Sequence, residues 1–187
     1  MPSPLIAPIT DVLRDFGKPR INRAPSPVLA VSLPWLLVML GSLSPTWPVI
    51  ASAPLVPPFG FLVLIAWQQL RPGLFPVWAG LPLGLFDDLF SGQPFGSAVM
   101  LWSLAMLVLE FLEVRFPWRG VVLNWLGASG IIATGLVLAL LIANAGGGSA
   151  AVSILIPQIL FSILAYPIAA RLVGAVDRFR LIPIITV

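Results

Sequence analysis

The chain predicts an all-α polytopic membrane protein: a compact bundle of about six transmembrane helices with both termini in the cytoplasm. Three observations predict it. Of 187 residues 59% are apolar and 9% charged, with a mean hydropathy of +1.04, and a water-soluble globule of this size cannot hide so much apolar surface. The apolar residues gather in six stretches, each near the roughly 20 residues a helix needs to cross about 30 Å of hydrocarbon. Finally, every Lys and Arg falls on one side of those stretches, as cytoplasmic loops require.

Residues 1–26 read as an N-terminal cytoplasmic tail. Leu5, Ile6, Ile9, Val12, Leu13 and Phe16 recur at helical spacing opposite Asp11, Arg14 and Asp15, the pattern of a short amphipathic helix lying on a membrane surface; a flexible tail is the alternative. The membrane domain, 27–174, holds spans at 27–43, 49–69, 74–90, 95–112, 121–145 and 151–174, and 175–187 is a C-terminal cytoplasmic tail. Boundaries blur where proline removes a backbone donor and bends helices, at Trp47-Pro48, at 54–58 and at 74–76. Ala51-Ser52-Ala53 would suit a leader-peptide cleavage site, but Pro54 follows the cut and the preceding charged region is too long. Gly146-Gly147-Gly148-Ser149 reads as a flexible turn without the strand, lysine or spacing of a phosphate loop.

The cations test the count. Arg14, Lys18, Arg20 and Arg23 precede span one, Arg71 separates spans two and three, Arg115 and Arg119 separate four and five, and Arg171, Arg178 and Arg180 end the chain. The alternate loops at 44–48, 91–94 and 146–150 hold none. Arg71, Arg115 and Arg119 are thus cytoplasmic anchors, and the end of span three faces the outer leaflet.

That end carries two adjacent acids in GLFDDLFSGQPFG, residues 84–96. At about 100° per residue, with Gly80 at 0°, Gly84 lies near 40°, Asp87 near −20°, Ser91 near 20° and Asp88 near 80°. The acids therefore extend a small-residue stripe, with Trp78, Leu85 and Leu89 opposite. Gly80 and Gly84 form a GxxxG pair that admits a close helix neighbour, and intramembrane acids commonly mark a contact or binding site. The plainer reading is a pair of wetted interfacial residues. Ser91-Gly92-Gln93-Pro94 supplies a turn, with Pro94 at the first position of span four and Ser91 or Gln93 free to accept from its amides.

Catalytic chemistry finds little footing. With no cysteine and no histidine, disulfides, thiolate metal sites and the commonest general base are excluded, and no cofactor or metal is expected. Asp87 and Asp88 diverge by about 100° on one helix, whereas an aspartyl dyad must converge on one point. Glu110 and Glu113 read as a solvated helix end pairing locally with Arg115. Asn124, Ser129 and Thr134 among Gly127, Gly130 and Gly135 read as close packing with interhelical hydrogen bonds. Gln158 and Tyr166 read as structural hydrogen bonding, and the seven tryptophans as interface anchors near span ends. The basic charge lacks the clustering that nucleic acid would need.

Residues 71–96, RPGLFPVWAGLPLGLFDDLFSGQPFG, resemble the signature region of the rod shape-determining membrane protein MreD family. Its members show Arg-Pro, a Leu/Pro-rich span, and Gly-Leu-x-x-Asp-Leu-Leu-x-Gly-x-Pro-Leu-Gly, here Gly84, Leu85, Asp88, Leu89, Phe90, Gly92, Pro94, Phe95 and Gly96. The resemblance picks Asp88 as the family's acid, while Asp87 falls at a variable position. It implies a non-enzymatic scaffold of the bacterial inner membrane that binds an MreC-like bitopic protein, within one complex with MreB, RodA and an elongation transpeptidase. On this reading Gly80, Gly84, Asp87, Asp88, Ser91, Gly92, Pro94 and Gly96 shape an outer-leaflet contact for a partner, and Asp88→Asn weakens partner recovery without lowering the chain's abundance. The competing expectation is a substrate-binding membrane subunit of a vitamin-type transporter, which has similar size and span count.

Overall fold

The computed structural model describes residues 23–24, 27–46, 56–115, 120–180 and 185–186. Among the described residues six α-helices make the fold: α1 Pro27–Ser42, α2 Phe59–Leu70, α3 Gly80–Ser91, α4 Ser97–Arg115, α5 Val121–Ala145 and α6 Ile156–Arg180. Single 3-10 turns precede α3 at Val77–Ala79 and α6 at Val152–Leu155. A two-residue antiparallel pairing, Arg23–Ala24 with Ile185–Thr186, joins the segments before α1 and after α6.

The helices are unequal in length. Three of them, α4, α5 and α6 with its leading turn, are long and apolar enough to cross a membrane. The other three have 16, 12 and 12 residues, about 24 and 18 Å at 1.5 Å per residue, short of about 30 Å. Six full-length helical spans therefore narrow to six helices, three of spanning length. Proline is the physical reason for α2 and α3: Pro58 stands at the N-cap of α2, nine residues after the expected start at 49, and Pro76 at the N-cap of the turn before α3. Ala51-Ser52-Ala53, most of the N-terminal tail, Trp47, Pro48, Trp118 and Arg119 lie outside the described residues.

The short α2 is the centre of the bundle. Its sequence, FGFLVLIAWQQL, is apolar on every side, and all nine residues from Gly60 to Gln68 are buried, as a helix without a polar face requires. It touches α1, α4, α5 and α6. Two glycines let α1 close on it: a Cβ at Gly41 would stand 2.7 Å from Gly60 N, inside any van der Waals contact. Trp67 and Trp102 sit in this core, 0% and 4% exposed; these two are packing residues, not interface anchors. The outer surface is greasy instead, with Leu36, Leu40, Phe111, Leu164 and Ile168 exposed, the distribution suited to lipid.

Polar groups are spent on joining helices. Tyr166 Oη donates to Gln69 Oε1 at 2.7 Å, and Gln69 Nε2 donates to Asn124 O at 3.2 Å, tying α6, α2 and α5 together. Gln158 Nε2 donates to Val56 O at 2.9 Å. Ser129 Oγ donates back to Trp125 O in its own helix and Asn124 joins α2 only through its backbone carbonyl, its buried Oδ1 having no partner among the described residues, so the interhelical side-chain bond of this stretch comes from Trp125, whose Nε1 donates to Ile163 O. The glycine turn after α5 is knit rather than loose: Asn144 exchanges hydrogen bonds of 2.9 and 3.0 Å with Ala150, and Gly148 N donates to Ala143 O.

A second anchor closes the opposite end, where α6 continues past residue 174 to Arg180. Arg71 Nη2 and Arg180 Nε meet the two carboxylate oxygens of Asp177 at 3.0 and 2.8 Å. Arg180 also donates to Ala30 O and lies 5.1 Å from the centre of the Trp67 ring. Asp177 and Arg180 are buried, whereas half of the Arg71 side chain is exposed. Breaking a buried pair strands a charge, at about 3–5 kcal/mol; an exposed partner contributes about 1 kcal/mol or less. Asp177→Leu is therefore expected to lower the thermal midpoint in detergent far more than Arg71→Met, and equal shifts would contradict this arrangement.

Candidate functional site

The stretch 80–99 folds as a helical hairpin, and its glycines explain how closely. A Cβ on Gly80 would lie 2.7 Å from Ser103 Cα, and one on Gly84 2.6 Å from Val99 Cα. The expected GxxxG contact thus exists, and its partner is the next helix of the same chain. Trp78, Leu85 and Leu89 face away and are exposed, as the helical wheel predicts.

Asp88 then closes the hairpin. At the last turn of α3 its side chain turns inward, only 5% exposed, and meets the start of α4. Oδ1 accepts from Ala98 N at 2.9 Å, while Oδ2 accepts from Gly96 N at 2.9 Å and Val99 N at 3.4 Å. The Ser97 hydroxyl lies 3.3 Å from both Asp88 Oδ1 and Gln93 Oε1. The first amides of a helix have no partner within it, and a carboxylate suits both their hydrogens and the positive end of the helix dipole. Ser91 and Gln93, expected to accept from these amides, do not: Ser91 Oγ accepts only from Gln93 N, at 3.5 Å.

The turn residues have backbone roles. Gly92 ends α3 at φ +67° and Gly96 sits at φ +92°, a region that residues with a Cβ avoid. Pro94 does not open α4; it starts a turn in which Ser97 N donates to Pro94 O at 3.0 Å, and the helix begins at Ser97.

Asp87 stands apart from this network. It is half-buried beside a hollow of about 40 Å³ that Gln93, Trp102 and Leu136 also line. The wheel favours Asp87 as the acid nearer the glycine stripe, whereas the chain buries Asp88, the residue the resemblance picks. Asp88 can be found from sequence as an acid placed eight to eleven residues before helix amides that need an acceptor. With Asp88 filled by its own chain, the geometry predicts that Asp88→Asn acts on the fold itself, against the expectation that it spares abundance.

The three cationic anchors separate. Arg71 is held by Asp177; Arg115 is exposed at the end of α4; Arg119 lies outside the described residues. Glu110 and Glu113 make no ion pair with Arg115 among the described residues and line a hollow instead. Sequence reading passed over Asp177, Gly41 and Gly60. The nearby Arg178 and Arg180 made Asp177 look like part of a solvated tail, and the two glycines lie in separate spans with no GxxxG spacing to join them.

No family model, curated protein or solved structure matches the chain. The site's meaning therefore rests on its own geometry.

Asp88→Ala leaves amides in an apolar setting without an acceptor, which costs about 1–3 kcal/mol for each orphaned group. We expect it to lower the thermal midpoint in detergent and the yield of folded protein, with Asp88→Asn intermediate because one carbonyl oxygen remains. Gly92→Ala should cost about 1 kcal/mol through its left-handed backbone. An Asp88→Ala protein as stable as the parent would contradict the capping role.

Proposed function

We propose that the chain is a non-enzymatic scaffold of the bacterial inner membrane, similar to the rod shape-determining MreD family. It binds an MreC-like bitopic protein and helps direct lateral wall synthesis in one complex with MreB, RodA and an elongation transpeptidase. The observation that carries this reading is that residues 71–96, the stretch bearing the resemblance, behave as one structural unit. Arg71 fastens its start to α6, Gly80 and Gly84 press α3 on α4, and Asp88, Gly92 and Gly96 shape its final turn. A motif spent on architecture suits a protein whose product is a surface.

On this reading both termini are cytoplasmic and all six helices cross or enter the bilayer. The partner contact lies on the hairpin's outward face, and Asp88 supports it from behind. The hollow beside Asp87 is about 40 Å³, room for little more than a water, so the 84–96 motif does not frame a pocket of the roughly 300–1,000 Å³ that a carried ligand fills.

A tagged pull-down from native membranes in mild detergent, with mass spectrometry of proteins and small molecules, tests the proposal. It should recover a bitopic partner with a large periplasmic domain together with wall synthases. Recovery of a metabolite with an ATPase module would overturn it in favour of transport.

A further inference from the structure

The last turns of α6 carry two arginines on one face. Arg171 and Arg178 are seven residues apart, which sets them within about 20° around the helix and about 10 Å along it. Both are exposed, and neither meets a carboxylate among the described residues, where the ion pairs join Arg71 and Arg180 to Asp177. The floor between them is made of small residues: Ala175 is exposed, and a Cβ at Gly174 would meet nothing within 4 Å. Arg178 Nε donates to Gly174 O at 3.2 Å. Its guanidinium therefore folds back over that floor, toward Arg171, and its Nη groups have no partner among the described residues.

Depth supplies a second observation. Arg178 stands level with the Asp177 anchor that closes the bundle, whereas Arg171 lies more than a turn deeper, on a surface where Leu164, Ile168 and Leu172 are exposed. A guanidinium flanked by such residues needs an anion close at hand. From Leu172 and Ile168 a hollow of about 450 Å³ runs inward between α1, α2 and α6, with Leu37, Val63 and Ala165 among its walls. Apart from Ser44 its described walls are apolar.

The size of the hollow decides what kind of molecule joins the two features. A helix about 10 Å across would fill it within a single turn. A methylene takes about the space of a water, roughly 30 Å³, so the hollow accommodates one fatty acyl chain. Two guanidinium forks over a small-residue floor match the oxygens of a phosphate, and basic pockets on membrane helices collect anionic head groups.

We infer that the outer face of α6 binds one anionic phospholipid, its phosphate between Arg171 and Arg178 over Gly174 and Ala175, and one acyl chain in the hollow beside Ile168 and Leu172. The site requires neither a particular partner nor the proposed orientation, since it takes lipid from whichever leaflet meets this end of the bundle.

The test uses the full chain, purified in detergent, stripped of lipid and titrated with phosphatidylglycerol or phosphatidylcholine carrying the same chains. Native mass spectrometry reads the first lipid bound. Phosphatidylglycerol should bind about tenfold more tightly. Arg171→Gln should lose most of that preference, whereas Arg115→Gln, which removes the same charge from the exposed end of α4, should keep it. Ala165→Phe fills the hollow and should weaken both lipids; if that variant fails to fold, Ala165→Val should show the same loss in smaller measure. Glycerol phosphate, an anion without chains, should displace neither lipid at equal concentration. Equal binding of the two lipids, an equal loss in both arginine variants, lipid affinity untouched by filling the hollow, or displacement by glycerol phosphate would overturn the assignment.

Discussion

A helix that begins in or beside hydrocarbon has free amide hydrogens and no water to satisfy them, and each one left bare is costly. Here Asp88 meets that constraint for α4. Much else depends on it. Its carboxylate reaches these amides only if α3 lies against α4 at backbone distance, which requires Gly80 and Gly84. The chain must also reverse within a few residues, which requires Gly92 and Gly96 at positive φ. An acid that looks expensive by composition is thus tolerated because its hydrogen bonds offset its desolvation.

The bundle is held at both ends by the same device, a buried aspartate joining elements distant in sequence. Asp88 pins the cation-free end, and Asp177, between Arg71 and Arg180, pins the other. Between them the central α2 is buried on all sides. Apolar burial adds little drive to helix association in lipid, so close glycine contacts and polar links such as Tyr166–Gln69–Asn124 specify which helices meet.

The helical class, the α5 boundaries, a close helix contact at Gly80 and Gly84 and the outward Trp78, Leu85 and Leu89 face were legible in the sequence because each follows from composition or a 3.6-residue period; that α4 is the neighbour was not. The lengths of α2 and α3 were not: prolines at 58 and 76 cut apolar runs that look long enough to span. Nor was the role of Asp88 plain from the wheel, which ranks faces on one helix and cannot see the amides of the next. Asp177 was hidden for a related reason, since its partner Arg71 lies 106 positions away.

The most direct measurement is amide hydrogen exchange, residue by residue, on the intact chain in nanodiscs. The account predicts that Gly96 and Ala98 are protected like the interior of α4, and that Asp88→Ala makes them exchange rapidly while residues 101–109 stay protected. Fast exchange at Gly96 and Ala98 in the parent, or protection unchanged by the substitution, would contradict the central place given to the Asp88 cap.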